Sequence, residues 1–199
     1  MTPVAAALLA AGRGSRLQTP TPKPLLELRG RPLVDWALEA VESSGLDPVV
    51  LVVGRGAGAV ARRAPADVTV TRAHGWRRGI AHSLRAALDT LEPLEAVTAV
   101  CIGLADQPLV GAEAYRRLAA AHADGAQLAV ATYERERANP VLVGRPLWTE
   151  ARRLRGDIGA RALMANRRVV EVDCTGTGDP SDVDTLDDLR AIEKRIGSS

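Results

Sequence analysis

Lysine and phenylalanine are almost missing from this 199-residue chain. Of its 26 basic residues only Lys23 and Lys194 are lysines, and it has no phenylalanine at all. Three Trp and two Tyr offer too little aromatic surface for the stacking platforms that hold single-stranded nucleic acid. A surplus of positive charge is missing too. The 26 basic groups face 24 acidic ones, which argues against a nucleic-acid partner. The longest apolar run, residues 4–11, is far short of the roughly 20 residues a membrane helix needs, so no membrane partner is expected. That run also lacks the basic flank and cleavage pattern of a signal peptide, which makes a cytoplasmic protein the expectation. Two cysteines, Cys101 and Cys174, make neither a disulfide framework nor a zinc signature, and His74, His82 and His122 show no metal-ligand spacing. Codon bias explains the preference for arginine as simply as function does, but it makes a lysine inside a loop worth following.

What is present is an alternation of aliphatic runs and helical segments. Residues 4–9, 48–53, 67–71, 97–103, 127–132, 141–143 and 168–172 read as strands. They are continuously apolar or β-branched, as strands are when both faces of a sheet are covered. Residues 33–43, 57–63, 78–91, 112–123, 146–154, 160–165 and 186–195 read as helices, the first with Leu33, Ala37, Leu38 and Val41 on one face. This order predicts an α/β fold, a three-layer Rossmann-like sandwich with a mostly parallel sheet. Length and composition fit one domain, 1–196, with 197–199 as a tail. Ligands in such folds bind beyond the carboxyl ends of the strands, which directs attention to the loops after the first and fourth.

The first loop reads Leu9-Ala10-Ala11-Gly12-Arg13-Gly14-Ser15-Arg16-Leu17. Small residues there let the backbone approach a ligand and aim N–H groups at an anion. Arg13 and Arg16 add guanidinium groups, and Lys23 can arrive from the far end of the loop, a combination suited to a nucleoside triphosphate. The loop is not a P-loop, since no Gly-Lys-Ser/Thr follows, and Leu17 breaks the G-x-G-x-x-G fingerprint. Gly54, Gly56 and Ala59 imitate that fingerprint more closely, which keeps an NAD(P)-dependent oxidoreductase among the alternatives. The simpler reading of that stretch is a glycine-rich turn into a helix.

The fourth strand ends in Gly103-Leu104-Ala105-Asp106-Gln107-Pro108. A carboxylate just past a central strand faces the crevice, where a hard cation such as Mg²⁺ shared with phosphates is its natural partner. A second carboxylate is available from Asp182-Val183-Asp184-Thr185. Taken alone, that segment reads as a helix cap, with Asp184 or Thr185 as N-cap and Asp187 and Asp188 favoured in the first turn. Gly156-Asp157-Ile158-Gly159-Ala160-Arg161 reads equally as a capped turn or an anion site.

Together these stretches resemble the MobA-like nucleotidyltransferases, most of all the molybdenum cofactor cytidylyltransferase branch. The likeness is ordered along nearly the whole chain. It runs from the first loop through Lys23-Pro24-Leu25-Leu26, Gly30-Arg31-Pro32-Leu33 and residues 76–88, with Gly79 and Ser83-Leu84. It continues through Leu104-Ala105-Asp106-Gln107-Pro108-Leu109-Val110, Asn139-Pro140-Val141-Leu142, the 156–161 turn and residues 182–189. The resemblance implies the nucleotide-diphospho-sugar transferase type of fold. It also implies an Mg²⁺-dependent transfer of a nucleoside monophosphate to a small phosphorylated acceptor such as molybdopterin.

By the family's pattern, Lys23, Arg16 and Asp106 are catalytic. Leu9, Ala10, Ala11, Gly12, Arg13, Gly14, Ser15, Arg16, Lys23, Ser83 and Asp106 bind the nucleotide. Gln107, Asn139, Pro140, Gly156, Asp157, Gly159 and Arg161 bind the acceptor, and Asp106 and Asp184 hold the metal. Ala10-Ala11-Gly12 goes with cytosine, hence CTP rather than GTP. A molybdoenzyme or cofactor-carrier protein is the protein partner it implies. The longer loop after Leu17, Gln18-Thr19-Pro20-Thr21-Pro22, is more like sugar-phosphate nucleotidyltransferases, so that acceptor class stays open. A non-catalytic nucleotide-binding protein is the remaining alternative, against which the intact Lys23 and Asp106 speak.

Overall fold

Aliphatic runs buried on both faces build the centre of the molecule. The computed structural model describes residues 3–12, 14, 16–17, 19–165 and 167–197. In chain order these form β1 (Val4–Ala10), a small hairpin of β2 (Glu27–Leu28) and β3 (Arg31–Pro32), α1 (Leu33–Ser43), β4 (Val49–Val53), α2 (Ala57–Ala61) and β5 (Thr69–Arg72). There follow α3 (Ile80–Leu91), β6 (Ala99–Leu104), α4 (Ala112–Ala123), β7 (Leu128–Tyr133), β8 (Glu136–Gly144), α5 (Trp148–Ala151), β9 (Val170–Asp173) and α6 (Leu186–Gly197). Seven strands make one sheet in the order β5-β4-β1-β6-β8-β7-β9. β1 pairs in parallel with β4 and β6, β4 with β5, and β7 with β9, whereas β8 runs antiparallel to β6 and β7. The fold is the mostly parallel α/β sandwich that the alternation of elements predicts.

Period-two alternation along β1 divides the core into two layers. Val4, Ala6, Leu8 and Ala10 pack with α1, α2 and α4, while Ala5, Ala7, Leu9 and Ala11 pack with α3 and α5. A third, smaller cluster joins Leu17, Leu26, Leu28, Leu33, Val183 and Ile192, and so ties the first loop to α6. The chain winds from β1 outward to β4 and β5 and then returns to lay β6 on the other side of β1. This reversal puts a crevice beyond the carboxyl ends of β1 and β6.

Four expectations need correction. The strand expected at 141–143 is a nine-residue strand, Glu136–Gly144, hairpinned onto β7. Its turn uses Glu134 and Arg135, both at positive φ (51° and 71°). Such a turn normally announces itself with Asn or Gly, so this sequence carried no hairpin signal. The helix expected at 146–154 is a 3₁₀ turn, Arg145–Leu147, and four α-helical residues; the one expected at 160–165 is a 3₁₀ turn, Ala160–Met164. In the latter, three-residue spacing puts Ala160 and Leu163 on one buried side. The helix expected from 78 begins at Ile80, because Gly79 breaks it.

Gly79 has φ +115°, and a Cβ on it would lie 2.2 Å from the carbonyl carbon and oxygen of Gly156. The Ala81 N–H donates to that same oxygen at 3.1 Å. Glycine at this position therefore lets the 156–161 turn rest on the start of α3. Gly79→Ala is expected to destabilise the protein by roughly 1–3 kcal/mol through backbone strain, with more from the collision. Gly30, with φ +75° and nothing near its missing Cβ, is the control. Urea unfolding should show Gly79→Ala clearly worse than Gly30→Ala.

Candidate active site

The first loop is shaped by what packs behind it. A Cβ on Gly54 would lie 2.8 Å from the Ala11 Cβ, and one on Gly56 would lie 2.4 Å from the Pro22 ring. The Arg55 guanidinium donates to the Thr19 and Pro20 carbonyls, at 3.1 Å each. The Gly54-Arg55-Gly56 turn thus backs the first loop, which accounts for its glycines without a dinucleotide. Leu17, the residue that breaks the fingerprint, is buried in the third cluster and anchors the loop there. A Cβ on Gly14, at φ +60°, would be 3.1 Å from the Lys23 Cβ, so glycine also lets the two ends of the loop meet closely. Arg13 and Ser15 lie outside the described residues.

Lys23 opens a 3₁₀ turn, Lys23–Leu25, and its side chain is only 7% exposed. Its Nζ donates to Asp106 Oδ2 at 2.5 Å and to Asp184 Oδ1 at 2.7 Å. Asp106 follows β6, where the Ala105 N–H donates to the Leu9 carbonyl and keeps the two strand ends together. Asp184 arrives on an extended segment that runs back along residues 106–110. That segment is held by a bridge between Val110 and Gly178, and by the N–H groups of Asp179 and Val183, which donate to Leu109 and Asp106.

The capping alternative is resolved by geometry. The Asp188 carboxylate accepts from the Thr185 N–H at 2.7 Å, and Thr185 Oγ1 accepts from the Asp188 N–H at 3.1 Å. That is a capping box. With the cap supplied by Thr185 and Asp188, the Asp184 carboxylate is free to turn into the site, where Arg16 also donates to it at 2.7 Å.

The charges are mutually adjusted. Burial alone would pull the Lys23 ammonium down, but the Asp106 charge and the hydrogen bonds to Asp106 and Asp184 outweigh it and hold it above its ordinary value. The Lys23 hydrogen bond, aided by the charges of Lys23 and Arg16, overcomes burial at Asp184 and holds it below the usual carboxylate range. Asp182 shifts the other way, pushed up by desolvation and by the Asp106 charge. Arg16 is 74% exposed, so its ion pair adds little to stability.

Two adjoining cavities open beside this cluster. The smaller, about 140 Å³, is bordered by Ala11, Gly12, Trp76, Gly79, Ser83 and Asp106. The larger, about 350 Å³, is bordered by Gln107, Asn139, Asp157, Gly159, Arg161 and Asp182 over an aliphatic floor. Both share Leu9, Ile80, Leu104 and Asp157. Of the residues expected at the nucleotide, Leu9, Ala11, Gly12, Ser83 and Asp106 border the smaller cavity, and of those expected at the acceptor, Gln107, Asn139, Asp157, Gly159 and Arg161 border the larger. Ala10 turns its methyl into the opposite layer and lines neither cavity. Pro140 and Gly156 border neither; Gly156 instead supports Gly79. Gly14, Arg16, Lys23 and Asp184 stand outside both walls and meet them at Asp106. Among the described residues no group of three or more His, Cys, Asp and Glu could hold a metal. Sequence reasoning did not place Asp182 on the cavity wall. The signal was available in Asp182-Val183-Asp184, because in an extended segment with Val183 buried the two carboxylates share the other side.

Residues 6–172 match the family model described as the MobA-like NTP transferase domain. The chain belongs to that family. Membership in the MobA-like NTP transferases makes it a nucleotidyltransferase. It is 37% identical over 135 residues to the bifunctional protein GlmU of Trichlorobacter lovleyi, a stretch covering 67% of this chain but 29% of that protein. The chain thus spans about a third of the length of the curated GlmU relatives it matches. Among solved structures, Rv0371c from Mycobacterium tuberculosis H37Rv superposes with a TM-score of 0.84 at 31% identity, covering 97% of this chain and 98% of that one. The same protein in complex with manganese gives 0.80 at 30% identity, with the same coverage. No helix among the described residues is long and apolar enough to cross a membrane.

Removing Lys23 from this MobA-like site leaves Asp106 and Asp184 facing one another. The loss should stay below the roughly 3–5 kcal/mol of a fully buried pair, because the two carboxylates are 26% and 43% exposed. Asp184 titrates lower in the folded chain than its ordinary 3.8, so its stabilising contribution is complete above that value and is lost as pH falls through the folded one. Lys23→Met is therefore expected to destabilise the protein at pH 7, and the gap to wild type should narrow toward pH 3. Urea midpoints of both proteins across that range check this.

Proposed function

We propose that this chain transfers CMP from CTP to a phosphorylated acceptor of the molybdopterin type, with Mg²⁺ as its metal and pyrophosphate as the second product. The observation that carries the reading is the convergence of Lys23 with Asp184 and with Asp106, which borders the smaller of two touching cavities. The smaller cavity, walled by Ala11, Gly12 and Ser83, suits a base and ribose held by close backbone approach. The larger suits the acceptor, with Asn139, Asp157, Gly159 and Arg161 around it. The cytosine preference rests on the Ala10-Ala11-Gly12 loop. Use of a free nucleoside triphosphate fits a cytoplasmic location, with the product passed to a molybdoenzyme or a cofactor carrier.

The acceptor phosphate is already largely ionised at neutral pH, so its oxygen needs no general base. It attacks the α-phosphorus in line. The new P–O bond forms as the bond from the α-phosphorus to the bridging oxygen breaks, and pyrophosphate leaves with that electron pair. Lys23 and Arg16 neutralise the triphosphate, and Lys23 stabilises the charge that develops at the α-phosphate.

The site's own residues fit a metal. The Lys23 ammonium shows that the Asp106 and Asp184 carboxylates reach a single cation together. Two carboxylates completed by substrate phosphates are a usual Mg²⁺ arrangement, and the manganese complex of the relative supports a divalent ion. When bound, the ion supplies charge neutralisation and polarises the α-phosphate. A triphosphate offers Lys23 other anionic oxygens and so releases the two carboxylates to the metal. A second reading, with a sugar phosphate as acceptor, is favoured by the longer loop after Leu17, which Arg55 holds in place.

Pyrophosphate release with each NTP, Mg²⁺, and either molybdopterin or sugar 1-phosphates separates the two. Release with CTP and molybdopterin is expected. Release only with a sugar 1-phosphate overturns the acceptor, and none with any pair overturns the reaction. Asp106→Asn should lower turnover by on the order of 100-fold or more while the thermal unfolding midpoint changes little.

A further inference from the structure

We propose that Gln107 selects the acceptor through Asn139. It locks the Asn139 amide with its carbonyl oxygen toward the larger cavity, so that the acceptor group lodged there must donate a hydrogen bond. The inference rests on the transferase reading only in naming the cavity's occupant as the acceptor.

The relay starts from a group whose direction is unambiguous. Gln107 is 4% exposed, and its Nε2 donates to the Pro180 carbonyl at 2.7 Å. A backbone carbonyl can only accept, so the NH₂ end of Gln107 must face Pro180. Its Oε1 is then turned to Asn139, and that oxygen too can only accept. Asn139 answers with Nδ2, at 2.9 Å. Asn139 borders the larger cavity, and its Oδ1 is the amide end not engaged by Gln107. Reversing Asn139 would set two carbonyl oxygens against each other in a nearly closed space.

The strand puts Asn139 where this orientation matters. In the β7–β8 ladder, Val130 pairs with Val141 and Ala131 with Ala138, so Asn139 and Pro140 form a bulge between consecutive pairs. A bulge re-aims a side chain out of the ladder, here to the wall of the cavity. The Asp157 and Asp182 carboxylates on the same wall accept hydrogen bonds when ionised, and Arg161 is its one cation among the described residues. An occupant that fits has N–H donors on its body. A pterin ring supplies them as amide and amino groups. Gln107 lines the cavity too, but its amide is held by the Pro180 carbonyl, by Asn139 and by the Asp182 carboxylate, to which it also hydrogen-bonds, so it is a positioning residue rather than an acceptor contact.

Two neutral probes test this by calorimetry without turnover: pterin, and 1,3-dimethyllumazine, the same ring system with no N–H group. Wild type is expected to prefer pterin by about tenfold, the worth of one neutral hydrogen bond. Asn139→Leu and Gln107→Met should each abolish the preference, and the double variant should lose no more than either alone. CTP affinity should be unchanged in all three, which a general loosening of the site would not allow. Equal binding of the two probes by wild type, no pterin binding, or losses that multiply in the double variant would overturn the proposal. If Gln107→Met does not fold, a preference that survives in Asn139→Leu overturns it alone. An intact preference without any pyrophosphate release would sink the transferase reading and leave the relay standing.

Discussion

Lys23 brings a positive charge into an almost closed position, and two carboxylates from distant parts of the chain have to be there to receive it. Desolvating an unpaired ammonium would cost several kcal/mol. The contacts with Asp106 and Asp184, 83 and 161 residues away in sequence, remove that cost only if three separate pieces of the fold arrive together. β1 must lie beside β6, the segment before α6 must run back along residues 106–110, and the first loop must be pinned through Leu17 to the cluster of Val183 and Ile192. In a chain with only one other lysine, Lys194, a lysine here has a physical reason. A compact ammonium on a flexible stem fits between two carboxylates and can be drawn away by a phosphate. A planar guanidinium would be committed to one bidentate partner.

Much of this was legible in the sequence because it depends on local or strongly patterned features. The central strands β1, β4, β6 and β7 announced themselves as aliphatic runs covered on both faces, and the alternation of strands with helices fixed the layer order. Asp106 stood out because nothing near it in sequence explains a carboxylate there. Asp184 could not be settled in that way. Helix capping is a local matter that any of several residues near 184 could satisfy, whereas the partner that claims Asp184 lies across the molecule. Only the geometry of Thr185 and Asp188 shows that the cap is made without it. The glycines at 54 and 56 bear out the simpler of their two readings, a turn into a helix. Their pattern resembled a phosphate turn, but the constraint is steric, set by Ala11 and Pro22 behind the first loop.

The β7–β8 hairpin was hidden for a third reason. Glu134 and Arg135 adopt left-handed backbone without the residues that usually mark it, and the Asn139-Pro140 bulge interrupts the pairing just where a strand would be read. The 3₁₀ turn at Ala160–Met164 is likewise too short to show a reliable period. These irregular pieces carry Asn139 and Arg161, two of the five polar side chains described on the wall of the larger cavity.

Nucleotide chemistry and acceptor choice are therefore written in different physical languages. Charge neutralisation and close backbone approach need particular residue types in fixed places at the ends of central strands, where periodicity and small residues make them visible. Acceptor choice, on the proposed reading, depends on which way a single amide faces. That direction is set at Pro180, passed through Gln107 and expressed at Asn139, three residues that are neighbours only after folding. No propensity or spacing encodes the rotation of an amide by half a turn. A buried hydrogen-bond chain with an unambiguous acceptor at its start does encode it, and for that reason the class of reaction could be read earlier than the substrate.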